Sequence, residues 1–548
     1  MKKSKNIELK IIFIGILLFF LTFFLLPLLS VIQKSVVDSE GVTLSHFAEV
    51  LQGGSFLQAL GNSLLISAFS AVVTTVLAFI LAYSIQYTNM NGTLKKFIRT
   101  ATILPMFLPT ITYGFAIIYS FGKEGLLTKL FGRQLFHLYG FNGLLLGYVI
   151  YTLPISFMLL QNTMHYIDKK FTVVSRIMGD SVIRCFFTSV VRPMLGTFAA
   201  SFIQCFFLCF TDFGIPASVG GKFEVVAGVL YNEMLGSIPD FNNGAVVAII
   251  MLLPSVVSIT MLKILEKYNI RYNKVSEIEL KKSKLRDMGF SVLSIVILTC
   301  ILSVFAVIFV IPFVEEWPYR TTFTMAHIRQ VLSDSALLSV YGNSIYVSIL
   351  TAVIGSAVVY GAALITARST LSVKCKQIIE GIALVTNTIP GMVLGIAFML
   401  SFKGTPIQNG FIIIIVCNLV HFFSTPYLMM KSSLEKMNVS WETTARLMGD
   451  SWFKTIVRVV TPNAYTTILE IFSYYFVNAM VTISAIIFIA GAKTMVITTK
   501  IKELQYYNKF NDVFVLSLLI LLTNIVVKGM IQFLANRKSN NKTKKEES

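Results

Sequence analysis

Charge is what this chain has least of. Only 13% of its 548 residues are Asp, Glu, Lys or Arg, while 55% are hydrophobic and the mean hydropathy is +0.75. A soluble domain carries about a quarter charged residues, so a water-soluble globule is excluded. Cysteine is sparse too: Cys185, Cys205, Cys209, Cys300, Cys375 and Cys417 are scattered with neither disulfide-like nor metal-ligand spacing. Cys205 and Cys209, at i and i+4 of one helix face, read as small packing residues. The five histidines form no cluster with cysteines or carboxylates, which leaves no constellation for catalysis or for a resident metal. No Gly-x4-Gly-Lys-Ser/Thr phosphate loop occurs, and the loops are too short to hold a nucleotide-hydrolysing domain. The chain therefore reads as a non-enzyme with no cofactor of its own.

What is present is apolar length. Stretches of about 20 apolar residues, enough to cross a hydrocarbon core, lie at roughly 11–32, 61–84, 101–121, 141–161, 194–212, 244–263, 289–313, 342–366, 378–402, 410–430, 463–490 and 512–535. The expected fold class is all-α and polytopic, with about twelve transmembrane helices. With the N-terminus inside, 34 of the 46 Lys and Arg residues fall on the inner side and 12 on the outer. That bias places both termini in the cytosol. Topology and contact with anionic lipid account for the net charge of +19 without a nucleic acid partner. Lys2, Lys3 and Lys5 precede the first apolar run, but no small-x-small cleavage pattern follows, so it reads as a retained span. The basic tail 536–548 reads as disordered.

The chain repeats itself. Arg176-Ile177-Met178-Gly179-Asp180-Ser181 returns as Arg446-Leu447-Met448-Gly449-Asp450-Ser451, an offset of 270. Gly61-Asn62-Ser63 returns as Gly342-Asn343-Ser344, and Pro109, Gly114 and Ala116 return as Pro390, Gly395 and Ala397, all at 281. Pro154 pairs with Pro426 at 272 and Pro193 with Pro462 at 269. The organisation is thus a first half at 1–263, a charged cytosolic linker at 264–288 and a second half at 289–535. Six spans per half is an even number, so the halves run parallel and both repeated loops face the cytosol, at about 166–193 and 436–462. Such symmetry encloses a path between the halves. Pro105, Pro109, Pro154, Gly391 and Gly395 permit bends or close helix contacts within the spans.

Each repeated loop reads as a short amphipathic helix, a tight glycine turn, a second short helix and a proline. Trp441, Ala445 and Met448 recur at helical spacing, and Glu442 and Arg446 stand at i and i+4. Gly449 permits a backbone geometry that a β-carbon opposes, and Asp450 or Ser451 can cap the next helix. A rigid knob of this kind suits a groove on another protein.

In these loops the chain resembles the inner-membrane permeases of binding-protein-dependent ABC importers. Their loop has Glu-Ala-Ala, then a Gly three residues on, then a Pro thirteen beyond it. Gly449 to Pro462 is thirteen here and Gly179 to Pro193 is fourteen. Thr443-Thr444-Ala445 and Val173-Val174-Ser175 occupy the Glu-Ala-Ala positions, with Glu442 just before the window. The resemblance covers nearly the whole chain and is closest to the fused, double-length permeases for ferric iron and 2-aminoethylphosphonate. The second of these is suggested by Thr211-Asp212-Phe213-Gly214-Ile215-Pro216 and by Phe476-Val477-Asn478-Ala479-Met480-Val481-Thr482-Ile483-Ser484. It implies two cytosolic ATP-binding cassette subunits, which bind the ATP, and an extracytoplasmic solute-binding protein. It also implies ATPase docking through Arg176, Gly179, Asp180, Ser181, Glu442, Arg446, Gly449, Asp450 and Ser451.

Ionisable groups within spans are candidates for the solute path. Asp212, His421 and Glu470 qualify, with Asn478, Asn387, Asn418 and Gln204 as neutral neighbours. For Asp212, at the outer end of its helix, exposure at the interface and gating weigh equally. The rival reading is a twelve-span secondary transporter driven by an ion gradient. Its usual signature, in the loop after the second span, is not met: 87–99 holds Lys95, Lys96 and Arg99 but no acidic residue.

Overall fold

The computed structural model describes residues 7–38, 41–266 and 282–546. Most of the expected linker, 267–281, lies outside the described residues. Eight helices are long and apolar enough to cross a membrane, and three bent helix pairs bring the number to as many as 11. The eleventh expected segment is helical as well, over Thr461–Val481. It falls short in apolarity because Asn463, Glu470, Tyr474, Tyr475 and Asn478 interrupt it. The last helix, Phe510–Glu546, continues through most of the segment expected as a disordered tail; Lys, Arg and Glu are good helix formers once a span has nucleated the turn.

Two expected straight spans are sharply broken. Gly92–Phe107 and Thr110–Phe131 meet at 107°, and Val373–Thr386 and Gly391–Ser401 meet at 106°. The cause is the matched prolines. Proline has no N–H for the helix ladder and drives the residue before it into extended backbone; Leu108, before Pro109, has φ −120° and ψ 146°. Pro109 and Pro390 then stand at the N-caps of the following helices. The next matched pair, Pro154 and Pro426, diverges. Pro154 sits inside a continuous helix, Phe141–His165, while the Pro426 segment bends by 56° between Phe411–His421 and Ser424–Glu435.

The chain forms two compact units, which part company with the sequence halves at the first span of each. One unit comprises Met1–His46, Arg329–Phe510 and Leu518–Ser548; the other comprises Phe47–Ile328 and Asn511–Ser517. The first span, Ile7–Val36, therefore packs with the second half: Phe20 meets the Phe423 ring at 4.6 Å and Ser30 shares a 2.7 Å hydroxyl bond with Ser401. Lys284–Phe313 packs with the first half, where Ser294 donates to Ser84 at 2.9 Å and Ser120 donates to the Val304 carbonyl at 3.1 Å. Small residues and interhelical hydroxyls are the usual adhesive between helices in lipid, where no hydrophobic gain is available.

The repeated Gly-Asn-Ser motif has a local task. Asn62 donates to the Glu224 carbonyl at 2.9 Å and Ser63 accepts the Val226 N–H at 2.8 Å. Asn343 donates to the Met495 carbonyl at 3.1 Å and Ser344 accepts the Ile497 N–H at 2.7 Å. Each motif seats the start of a short helix, Val226–Leu235 or Ile497–Tyr506, against its own second span. A two-stranded hairpin follows the first span of each half, pairing Val37–Asp38 with Gly41–Val42 and Val314–Glu316 with Arg320–Phe323.

Candidate functional site

The two repeated loops fold alike. Lys170–Ile177 and Ser440–Leu447 are the first short helices; Val182–Phe186 and Trp452–Thr455 are the second. The second short helix has one residue more in the first copy, which accounts for the spacing of fourteen against thirteen. A π-turn follows in each, Phe187–Val191 and Ile456–Val460, just before Pro193 and Pro462. A proline displaces the carbonyl one turn earlier, and a π-turn absorbs the displacement.

Gly179 and Gly449 both have φ +84°. A β-carbon at either would meet nothing within 4 Å, so glycine is demanded by backbone conformation and not by crowding. The turn closes when the Asp180 N–H reaches the Ser175 carbonyl at 3.1 Å and the Asp450 N–H reaches the Ala445 carbonyl at 2.9 Å, in the manner of a Schellman motif. Ser181 accepts the Arg184 N–H at 3.3 Å, and Ser451 accepts the Lys454 N–H at 3.2 Å. Asp180 is held by Ser175 Oγ at 2.6 Å and by Arg184 Nε at 3.2 Å, and Asp450 by the Lys454 ammonium. The polar side chains expected to face a partner therefore build the turn.

What the turn presents is apolar. Ile177 is 79% exposed and Met178 78%, with Leu447 at 84% and Met448 at 79%. Val182, Ile183 and Phe453 are exposed beside them. These apolar side chains stand together on an otherwise polar, basic loop. Sequence reasoning did not single out Ile177 and Leu447; the available signal was an apolar pair before the glycine in both copies.

Arg176 is exposed, and its carbonyl accepts the Gly179 N–H at 3.1 Å. The side chain of Arg446 lies outside the described residues. Both carboxylate oxygens of Glu442 are engaged by Arg368, at 2.6 and 2.5 Å. Sequence spacing could not reveal a partner 74 residues away.

Asp212 belongs to one compact unit and His421, Glu470 and Asn478 to the other; among those three described residues no hydrogen bond or ion pair is formed between their side chains. Asp212 is only 6% exposed, so simple exposure at the interface is excluded. Its carboxylate accepts the Ile215 N–H at 2.9 Å and seats the turn Pro216–Val219. His421 ends the helix at the 56° bend, and a β-carbon on Gly391 would come within 3.2 Å of its Nε2 and 2.8 Å of Ser484 Oγ. Glu470 is exposed midway along Thr461–Val481 and shares one face, at intervals of four, with Tyr474 and Asn478. Asn478 donates to the Tyr474 carbonyl at 2.8 Å. Among the described residues no group of three or more His, Cys, Asp or Glu could hold a metal ion.

Residues 74–271 and 360–540 each match the binding-protein-dependent transport system inner membrane component family, one match around each loop. The chain belongs to this family. It is 26% identical over 508 residues, 89% of this chain and 72% of the relative, to the ferric transport system permease protein FbpB of Actinobacillus pleuropneumoniae. It is also 26% identical over 211 residues, 37% of this chain and 72% of the relative, to a protein of Salmonella typhi named as a 2-aminoethylphosphonate transport system permease, PhnU. The spermidine/putrescine transport system permease protein PotC of Escherichia coli K12 matches at 21% over 224 residues, 40% of this chain. The chain is thus an ABC importer permease, an inner-membrane transport subunit whose family implies ATPase and solute-binding partners.

Proposed function

We propose that this permease forms the solute path of its importer and docks two ATP-binding cassette subunits, one on each repeated loop, with both loops and both termini in the cytosol. ATP is bound by those partners, and an extracytoplasmic binding protein delivers the solute. The observation that carries this reading is the pair of matched turns, each holding an exposed apolar tip, in a chain whose sequence has no phosphate loop. Closure of the ATPase pair would move both knobs, and the rigid glycine turns would pass that motion to the spans that follow Pro193 and Pro462.

For the solute we propose ferric iron or 2-aminoethylphosphonate, on the strength of relatives so named. The test is uptake of each labelled solute by proteoliposomes holding the permease with its cognate ATPase and binding protein. ATP-dependent uptake of one of them supports the reading. Uptake by the permease alone, driven by an ion gradient, contradicts it and favours a secondary transporter.

A further inference from the structure

The second loop is tied down by a buried ion pair. Arg368 is the last residue of the span Ser335–Arg368, and its side chain is 1% exposed; Glu442 is in the first turn of Ser440–Leu447, with its side chain 11% exposed. The guanidinium has five N–H donors in a planar fork, and all five find acceptors. Nε and Nη2 take the two carboxylate oxygens of Glu442 at 2.6 and 2.5 Å. Nη2 also reaches the Asn438 carbonyl at 3.1 Å, while Nη1 reaches Met437 at 2.8 Å and Leu434 at 3.5 Å. The Leu434, Met437 and Asn438 carbonyls sit at the end of the Ser424–Glu435 helix and in the connection that follows, so one side chain pins a span end, a helix end and the docking helix together.

The first loop is built otherwise at the matching places. The span Gly54–Tyr87 has the same length, 34 residues, as Ser335–Arg368, so Tyr87 stands where Arg368 does. Thr172, seven residues before Gly179, stands where Glu442 does. Tyr87 stacks on Tyr83 at 5.1 Å and lies 6.0 Å below the Lys169 ammonium. A tyrosine and a threonine cannot reproduce a forked, doubly charged clamp.

We infer that Glu442 is not a contact for the ATPase but a positioning residue: with Arg368 it locks the second docking helix to the end of its half's second span, making the two loops mechanically unequal. Two charges so deeply buried are costly to separate, since removing one leaves the other unpaired. Lysine cannot stand in for Arg368, because an ammonium lacks the planar fork. The consequence for transport rests on the docking reading; the lock itself does not.

The test is amide hydrogen exchange by mass spectrometry on the purified full-length permease without ATPase. In Arg368→Gln and in Glu442→Gln, exchange across 440–447 should accelerate by about tenfold or more while 170–177 is unchanged. The Arg368→Gln/Glu442→Gln double variant should exchange no faster than the faster single, as expected for partners in one interaction. Arg368→Tyr/Glu442→Thr should bring the second loop to the exchange rate of the first. Unchanged exchange in both single variants overturns the inference, as does equal acceleration in 170–177 and 440–447. If Arg368→Gln does not accumulate, Glu442→Asp, which keeps the charge but shortens the reach, must show the same local acceleration. Failure of the wild-type chain to bind any ATPase would contradict the docking reading and leave this result standing.

Discussion

The two repeated loops share one turn and differ in how they are held. Gly179 and Gly449 adopt the same φ of +84°, with Ser181 and Ser451 capping the next helix in the same way. Behind the turn, Arg368 and Glu442 form a buried fork in one copy, while Tyr87 and Thr172 occupy those places in the other. In the proposed docking, the turn is the part that the ATPase would recognise by shape. On the inference that the Arg368–Glu442 anchorage acts within the chain, it could drift between the copies without spoiling the fit of the tip.

The sharpest way to break the comparison is through the shared turn. Gly449→Val and Gly179→Val each force a β-branched residue to positive φ, at a local cost of about 1–3 kcal/mol. ATPase affinity should fall about ten- to a hundredfold, read by co-purification, with permease levels near normal. Gly449→Asn, which tolerates the left-handed region, should retain most of the binding. Since the clamp holds the second helix independently of its turn, Gly449→Val should leave 440–447 better protected from exchange than Gly179→Val leaves 170–177.

A second contrast lies inside the spans. A β-carbon on Gly395 would stand 2.2 Å from the Ala485 carbonyl oxygen, whereas one on Gly114 would stand 1.7 Å from Ser218 Oγ. Backbone cannot be trimmed and a side chain can. Gly395→Ala should destabilise the purified protein by about 1–3 kcal/mol in thermal unfolding. Gly114→Ala should be restored by Ser218→Gly. Failure of that rescue would show that the two close approaches are alike in kind.

Much of this was legible in advance because membrane spans and turns announce themselves locally. Apolar runs marked the helices, and a repeated Met-Gly-Asp-Ser with a later proline marked the loops. The breaks at Pro109 and Pro390 were less legible, because a proline within an apolar run is compatible with a mild kink as well as a bend of more than 100°. Exchange of the first spans was invisible, since hydropathy says how long Ile7–Val36 is and not which helices its Phe20 and Ser30 will meet. Glu442 is a related case: local spacing offers Arg446 alone, whereas the fold also brings Arg368, 74 residues away in sequence, to its carboxylate. For Asp212 the sequence left interface exposure and gating equal; burial removes the first, and its carboxylate accepts the Ile215 N–H.

The smallest effect expected is from the caps. Ser181→Ala and Ser451→Ala each remove one N-cap acceptor, at a cost of about 0.5–2 kcal/mol, and should raise amide exchange over 182–186 and 452–455 to a similar degree. A large difference between the two would mean that the turns are less alike than their geometry indicates.

The central claim is that both apolar tips are covered by ATPase on the cytosolic side. Single cysteines at Met178 and Met448, each in a cysteine-free permease, can be probed with an impermeant thiol reagent in inside-out and right-side-out vesicles. Both should label in inside-out vesicles stripped of ATPase, both should be protected when the ATPase is rebound, and neither should label from the outer face. Labelling from outside, or equal labelling at either position with and without ATPase, would contradict the two-loop docking account.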